Sequence, residues 1–394
     1  MMLSQSRQDA ATTRRGAQRV LLWVLASLIG LIRAPTHAAE GPAPRAPSPL
    51  GEPVNLYATH GRGDASERSG RIYPWHARDQ VWVLAGEPGE SNVTVQVGDE
   101  GVVVVDTGAQ AEAPALLEQV LLLAEAHAGD QKAIHLIVNT NGRADHIGGN
   151  QVIREGGNQV IAGEMQRQAD FVPAGAEVLA NQNVLTRLVA ESATGKGLRD
   201  LWPTDAEDFD TYGVRINDEA LQLYHPHNAN TDGQLIVMFR QSDVIAAGDV
   251  MDMTHYPIID TARGGSIDGE LVALNELIDM AVPGPQAEGG TVIVPGHGRL
   301  CDQADVEFYK NMVTAIRNRV QFYKNQGKSL PQVLALAPSA GWDGRWGATA
   351  GAWTTSDFIT AVYDSLSVGG PAIFSMREGK LVPATSAVSS GQLF

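Results

Sequence analysis

A chain of 394 residues with 43% apolar side chains is long enough to bury a substantial core. Its net charge of −16 argues against nucleic acid or an anionic membrane as partner, because either needs a basic face. The single cysteine, Cys301, excludes an internal disulfide.

Residues 1–38 have the layout of a secretory signal. Arg14, Arg15 and Arg19 form a basic region, Val20 to Ile32 is an apolar run of 13 residues, and Thr36-His37-Ala38 offers small residues at a cleavage site. A membrane span needs about 20 apolar residues, so a retained anchor is the lesser reading. The expected location is periplasmic or secreted, with no membrane contact after cleavage. Thr13-Arg14-Arg15 hints at twin-arginine export, but Ala17-Gln18 stands where an apolar pair is usual. The mature chain then carries 24 basic and 44 acidic side chains, a net charge of −20. Residues 39–53 are a Pro/Ala-rich linker, and the N-terminal segment is taken to run to residue 79.

Strand-like sequence begins at Gln80. Val81 to Ala85 is one run, and Val93, Val95 and Val97 alternate with polar residues in a second. Gly98 to Gly101 is a turn, and Val102 to Val105 is a third strand ending at Asp106-Thr107-Gly108. A helix is expected over Ala113 to His127, with Leu116, Leu117, Val120 and Leu121 on one stripe. Ile134 to Val138 then reads as a buried strand that stops at Asn139-Thr140. Asp145 and His146 fall in the loop beyond it, where Gly148-Gly149 allow a tight turn. Residues 164–215 read as mostly polar, helical or looped, and suited to facing a substrate. Strands follow around Leu221–His225 and Leu235–Arg240, then Val244 to Asp249, a buried strand ending in an acid. Leu271 to Ala281 is a helix, and Thr291 to Gly298 is a strand ending in His297. Helices over Asp305 to about Gln326 and Trp353 to Leu366 belong to a C-terminal extension, residues 305–394, packed on the domain formed by residues 80–304.

The stretch Asn139-Thr-Asn-Gly-Arg-Ala-Asp-His-Ile-Gly-Gly-Asn150 resembles the signature loop of the metallo-β-lactamase superfamily, Asn-Thr-His-x-His-x-Asp-His-x-Gly-Gly-Asn. Val-Val-Asp106-Thr-Gly, Ala-Gly-Asp249 and Pro-Gly-His297-Gly are similar to that family's other motifs and follow in its order. Tyr256-Pro-Ile-Ile-Asp and Gly-Gly-Ser-Ile-Asp-Gly269 look like a stretch common in exported members. The resemblance implies an α/β fold, a four-layer αβ/βα sandwich of the metallo-β-lactamase type. It also implies Asp145, His146, Asp249 and His297 as metal ligands, with Asp106 as the structural acid behind the metal loop.

The departures from the family fall in one place. Asn141, Arg143 and Asn230 stand where the family has the three histidines of its first metal. A neutral amide is a poor zinc ligand, and a guanidinium cannot coordinate at all. That pocket is therefore expected to hold no metal, with Arg143 partly replacing its charge by pairing with Asp249 or Asp145. Asp145, His146 and His297, with Asp249 as a fourth or bridging ligand, remain for one ion: zinc first, iron or manganese as alternatives.

The implied activity is metal-assisted hydrolysis of an ester, lactone, thioester or amide in a small-molecule substrate. Asp249 or Asp145 would aid deprotonation of water, and Arg143, Asn141 or Asn230 would steady an oxyanion or a substrate carboxylate. The rival is a non-catalytic binding protein with a vestigial site, since fold does not imply function. A diiron redox member would need the full two-metal set. His225 and His227 read either as replacements for the missing ligands or, more simply, as loop histidines at the mouth. His227 and His255 are candidate cleft residues. His60, His76, His127 and His135 read as structural, and Cys301, four residues after His297, as a buried small hydrophobe rather than a thiol near the metal. Trp342, Trp346 and Trp353 read as a cap on the core by default or else as a roof over the cleft, and the C-terminal helices as a pocket wall or a homodimer contact.

Overall fold

The computed structural model describes residues 72–85, 90–156, 175–195, 199–284 and 289–371, with two short strands at 376–377 and 380–381. They lie in one of the two units into which the chain divides, Leu50–Phe394. The signal reading at 1–38, the linker at 39–53 and His60 lie outside the described residues.

Two sheets face each other. The first has seven strands in sequential order: β1 (Tyr73–Arg78), β2 (Val81–Ala85), β3 (Val93–Gly98), β4 (Gly101–Val105), β5 (Ile134–Val138), β6 (Glu177–Asn181) and β7 (Asp205–Glu207). Its first four strands pair antiparallel and its last four parallel. The second sheet runs β12 (Val292–His297), β11 (Val244–Asp252), β10 (Ile236–Phe239), β9 (Glu219–Tyr224), β8 (Thr211–Ile216), with only β11 and β12 parallel. The short pair β13 (Met376–Arg377) and β14 (Lys380–Leu381) stands apart.

The valine run of β4 is explained by burial on both faces. Val103 and Val105 point into the core between the sheets, where they join Leu223, Val237, Phe239 and Val294. Val102 and Val104 point outward to α1 (Ala113–His127) and α3 (Asn150–Gly156) through Leu116, Val120 and Ile153. The second sheet likewise turns Ile236, Ile245 and Ile293 toward α5 (Ile267–Met280) and α6 (Gln303–Asn325). Helix, sheet, sheet, helix is the four-layer sandwich expected from the motifs. Among the described residues, no helix is long and apolar enough to cross a membrane.

Three features depart from the sequence reading. Sheet structure starts at Tyr73, ahead of Gln80. The stretch 164–215 supplies three strands, β6, β7 and β8, besides α4 (Gln182–Ala193). Its residues 164–174 and 196–198 lie outside the described residues. β7 is only three residues long, two of them acidic, and β8 alternates exposed and half-buried positions at a sheet edge. β7 carries no apolar pattern and owes its strand form to pairing with β6, whereas β8 turns Tyr212, Val214 and Ile216 inward at every second position. Lastly, Asp145 and His146 lie on a single helical turn, α2 (Ala144–Ile147), instead of a loop.

The C-terminal helices α7 (Leu330–Ala335), α8 (Asp343–Trp346) and α9 (Thr355–Ser365) close the outer layer over the second sheet. Trp346 and Phe358 are fully buried in that layer, and Trp342 and Trp353 pack against it. Phe358 stacks on Tyr256 at 4.6 Å, and Tyr309 of α6 meets Trp346 edge-on at 5.0 Å. Cys301 is buried in the same core. These contacts make the helices part of the domain core. Phe358→Ala is expected to cost about 3–5 kcal/mol, as large-to-small changes at buried aromatics do. Urea unfolding of the variant against the parent measures it.

Candidate metal centre

The two central parallel strands of the first sheet end side by side, with Val105 opposite Val138. Asp106 leaves β4 at φ 62, a left-handed conformation uncommon outside glycine and best tolerated by Asn and Asp. There its N–H still donates to the Val138 carbonyl, while its carboxylate turns under the metal loop. The carboxylate accepts from the Thr140 N–H and hydroxyl, both at 2.7 Å, and meets His146 Nδ1 at 2.7 Å. Thr107 in turn donates from its N–H to the His146 carbonyl at 2.7 Å. Asp106 thus orients both the loop and the ring.

The glycine pair after α2 has a different reason than expected. Gly148 sits at an ordinary helical φ of −59, and neither glycine is left-handed. A Cβ at Gly148 would come within 2.4 Å of the Gln110 nitrogen, and one at Gly149 within 2.3 Å of the Thr107 carbonyl oxygen. Close passage of the 107–110 backbone is what requires glycine here.

From the second sheet, the β11–β12 register shifts on either side of Gly248, and Asp249 leaves the ladder at that irregularity. Its Oδ1 lies 3.0 Å from His146 Nε2 and 3.4 Å from His297 Nε2. His297, at the end of β12, is also 3.5 Å from Asp145 Oδ2. The ligand atoms of Asp145, His146 and His297 all lie within 4.8 Å of one another, and no other such group occurs among the described residues.

Two buried histidines held by acids would be cations in this arrangement. Burial pulls the pKa of His146 down, but the carboxylates of Asp249 and Asp106 outweigh it and hold it well above the ordinary range. His297, for which burial is again opposed by Asp249, is pushed up to about 9. For Asp249 burial works upward, and His146, His297 and Arg143 together hold it well below the usual carboxylate range. Both ring nitrogens of His297 are buried without a hydrogen-bond partner among the described residues. An orphaned imidazole beside a carboxylate and a second imidazole fits a divalent ion, which would take the place of these protons.

The neighbouring pocket does not fit one. Asn141 turns its Oδ1 to the Arg143 N–H and Asn230 turns its Oδ1 to the Thr231 N–H, each at 2.9 Å. The amide oxygens, their only ligating atoms, are therefore turned to the backbone. Their Nδ2 groups donate instead to Asp249 Oδ2, at 3.2 and 3.4 Å. Arg143 Nε makes an ion pair with the same Oδ2 at 3.2 Å, and its Nη2 reaches Asp145 Oδ2 at 3.3 Å. Asp249 is sorted by oxygen: Oδ1 faces the two histidines, and Oδ2 faces two amides and a guanidinium.

The remaining candidates are placed around this centre. His255 sits beside His297, ring centroids 6.0 Å apart, and is held by the Asp252 carboxylate at 3.2 Å. His227 is exposed at the rim against Asp210, and His225 packs beside it; neither joins the triad. Of the histidines read as structural, His76 and His127 flank Trp82 and His135 is exposed on β5.

Sequence reasoning missed Ser91 and Asn92. Ser91 donates to the Asp145 carbonyl, and the Asn92 amide bridges the Pro295 and Gly298 carbonyls at 2.9 Å each, clamping the strand end that carries His297. A polar pair ahead of a strand gave no signal of this. Gln234, which accepts from Asn141, and Glu270, buried in α5, were missed for the same reason.

The sequence model of the metallo-beta-lactamase superfamily matches residues 86–297, and the chain belongs to that superfamily. Among solved structures, a metallo-beta-lactamase from Pontibacter korlensis is 19% identical, with a TM-score of 0.45 over 62% of this chain and 99% of its own. The stereoselective inverting sec-alkylsulfatase Pisa1 from Pseudomonas sp. is 14% identical, with a TM-score of 0.51 over 75% of this chain. This chain spans half the length of that sulfatase. No curated protein matches the sequence.

Two outcomes are expected. Asp106→Asn removes the charge that orients His146 and should weaken metal binding about 10–100-fold, measured by chelator competition. Glu270 is fully buried, and neither carboxylate oxygen has a partner among the described residues. Burial first, then Asp249, holds its pKa well above the usual carboxylate range. The unfolded chain therefore ionises Glu270 first, and the native state loses stability as pH rises past the unfolded value near 4.5 toward the folded one. Glu270→Gln should flatten that fall, so that denaturation midpoints at pH 5 and pH 8 differ less than in the parent.

Proposed function

We propose that this chain is an exported hydrolase that works with a single metal ion, zinc by the chemistry of its ligands, in the Asp145–His146–His297 pocket. The observation that carries this reading is the sorting of Asp249. Its Oδ1 faces the two imidazoles, while its Oδ2 accepts from Asn141 and Asn230 and lies 3.2 Å from the Arg143 guanidinium. Every ligand of one pocket is present and none of the other's, a pattern that undirected decay of a site would not produce.

A divalent ion held there supplies a Lewis acid and brings the pKa of a water toward neutrality. The protein's own residues do the rest. Asp249 Oδ1, facing both imidazoles, would serve as the fourth ligand or as the hydrogen-bond acceptor that orients a water in the pocket. Asp106 fixes the His146 ring so that Nε2 faces the pocket. Arg143 provides a fixed positive charge beside the reaction centre. Its Nη2 donates to Asp145 Oδ2 at 3.3 Å, and its Nε lies 3.2 Å from Asp249 Oδ2 without a hydrogen bond. The guanidinium thus keeps donor capacity for a developing oxyanion or a substrate anion. Asn141 and Asn230 hold Oδ2 of Asp249 and so keep Oδ1 turned to the water. His255 at the rim faces the small-molecule substrate.

The substrates to test are esters, lactones, thioesters and lactams. A secondary alkyl sulfate joins them, because a neighbour of similar fold is a sec-alkylsulfatase and a guanidinium suits a sulfate ester. The non-catalytic alternative rests on the same three substitutions, which remove half of a two-metal site.

Elemental analysis of the purified protein, with His146→Ala and His297→Ala alongside, decides between them. About one ion per chain, lost in both variants together with any hydrolysis, is the expected result. Two ions per chain would overturn the role given to Arg143. No ion after supplementation with zinc, iron and manganese would make this a binding protein.

A further inference from the structure

The loop after β9 returns toward β10 and carries Asn230 and Gln234 on its inner side. Its first residues are two histidines, His225 and His227, spaced i and i+2. His225 is anchored by its backbone, whose N–H donates to the Asp210 carbonyl at 2.9 Å, and is almost wholly buried. Its ring Nδ1 lies 2.9 Å from the Gln234 carbonyl oxygen, which can only accept, so the proton sits on Nδ1 and the lone pair on Nε2. Nε2 has no partner among the described residues and is not a fully enclosed atom. The His227 ring is turned the other way: Nε2 meets Asp210 Oδ1 at 2.9 Å, leaving its lone pair on Nδ1.

A ring nitrogen donating to a carbonyl or carboxylate, with its opposite nitrogen free, is the arrangement that orients metal-ligating histidines. Here it occurs twice in adjacent side chains. The rings meet edge-on with centroids 4.6 Å apart. With metal–nitrogen bonds of about 2.0–2.1 Å, two imidazoles on adjacent positions of one ion place their ring centres on the order of 4.5–5 Å apart. Asp208 and Asp210 make the surroundings negative, and burial lowers the pKa of His225, which keeps that ring neutral.

We propose that His225 Nε2 and His227 Nδ1 form a two-imidazole chelate for a borderline divalent cation at the rim of the cleft, separate from the Asp145–His146–His297 centre. Asp210 orients His227, the Gln234 carbonyl orients His225, and water fills the remaining positions. Cu²⁺ is the strongest binder such a nitrogen pair selects, ahead of Zn²⁺ and Ni²⁺. With two protein ligands against three or four, the rim site is the weaker of the two. An ion there ties the start of the loop to the strand end and so stiffens the segment that positions Asn230 and Gln234.

The test is titration of the tag-free protein with Cu²⁺ alone, read by calorimetry and by the nitrogen splitting in the copper electron paramagnetic resonance spectrum. The parent should show two classes of site, the weaker with two coupled nitrogens. His227→Ala, at an exposed position, should lose only the weaker class, and Asp210→Asn should weaken it about 10–100-fold. His146→Ala should lose only the tighter class. A single class in the parent that vanishes in His146→Ala, or a His227→Ala titration matching the parent, overturns the rim site and leaves the metal centre standing. Two classes unchanged in His146→Ala would instead overturn the metal centre.

Discussion

His146 is held between two acids that come from different sheets. Its Nδ1 is fixed by Asp106 at the end of β4, its Nε2 faces Asp249 at the bulge of β11, and none of the three side chains reaches solvent appreciably. Charges buried to this depth are tolerated only when each has a partner in good geometry. That condition fixes how the two sheets meet at this end of the sandwich. The left-handed backbone of Asp106, the helical turn of α2 and the glycines beneath it serve to keep the ring on that line. The Ser91–Asn92 clamp does the same for His297 from the other side.

The line also explains why loss of three histidines leaves a coherent site. Asp249 would bridge two ions if both pockets were intact. With one pocket changed, its outer oxygen would be an unpaired buried anion unless cationic or polar donors replaced the ion. Arg143, Asn141 and Asn230 supply a guanidinium and two amide groups to that single atom. Lysine would be a poorer substitute for Arg143, because only a planar fork can address Asp249 and Asp145 from neighbouring nitrogens. The result is an asymmetric centre in which a guanidinium and two neutral amides face one oxygen of Asp249 and two imidazoles face the other.

The C-terminal helices stand behind this arrangement without contributing a ligand. Tyr256 donates to Asp343 at 2.8 Å and stacks on Phe358, and Tyr309 donates to the His255 carbonyl at 3.1 Å. The segment that follows Asp249 and lines the cleft through His255 is thereby pinned to the outer helical layer. A substitution far out in α9 is thus connected to the rim of the site through packed aromatic rings.

Much of the fold was legible in the sequence, because its strands are apolar runs and its helices carry one apolar stripe. α1 and β5 fall where periodicity placed them, and the ligands are readable because each follows such a run. The edge strand β7, three residues of which two are acidic, was not legible, since its pairing with β6 and not its composition makes it a strand. The alternation of Tyr212, Val214 and Ile216 in β8 was a signal that went unused. The replacement of three histidines was equally visible, but its consequence was not. Sequence lists the side chains; only tertiary structure shows that both asparagines turn their oxygens to the backbone and their nitrogens to one oxygen of Asp249. The same holds for Ser91, Asn92, Gln234 and Glu270, whose roles depend on neighbours distant in the chain. Hydrophobic periodicity is a local property and survives in the sequence, whereas the direction of a hydrogen bond belongs to whatever the fold brings opposite it.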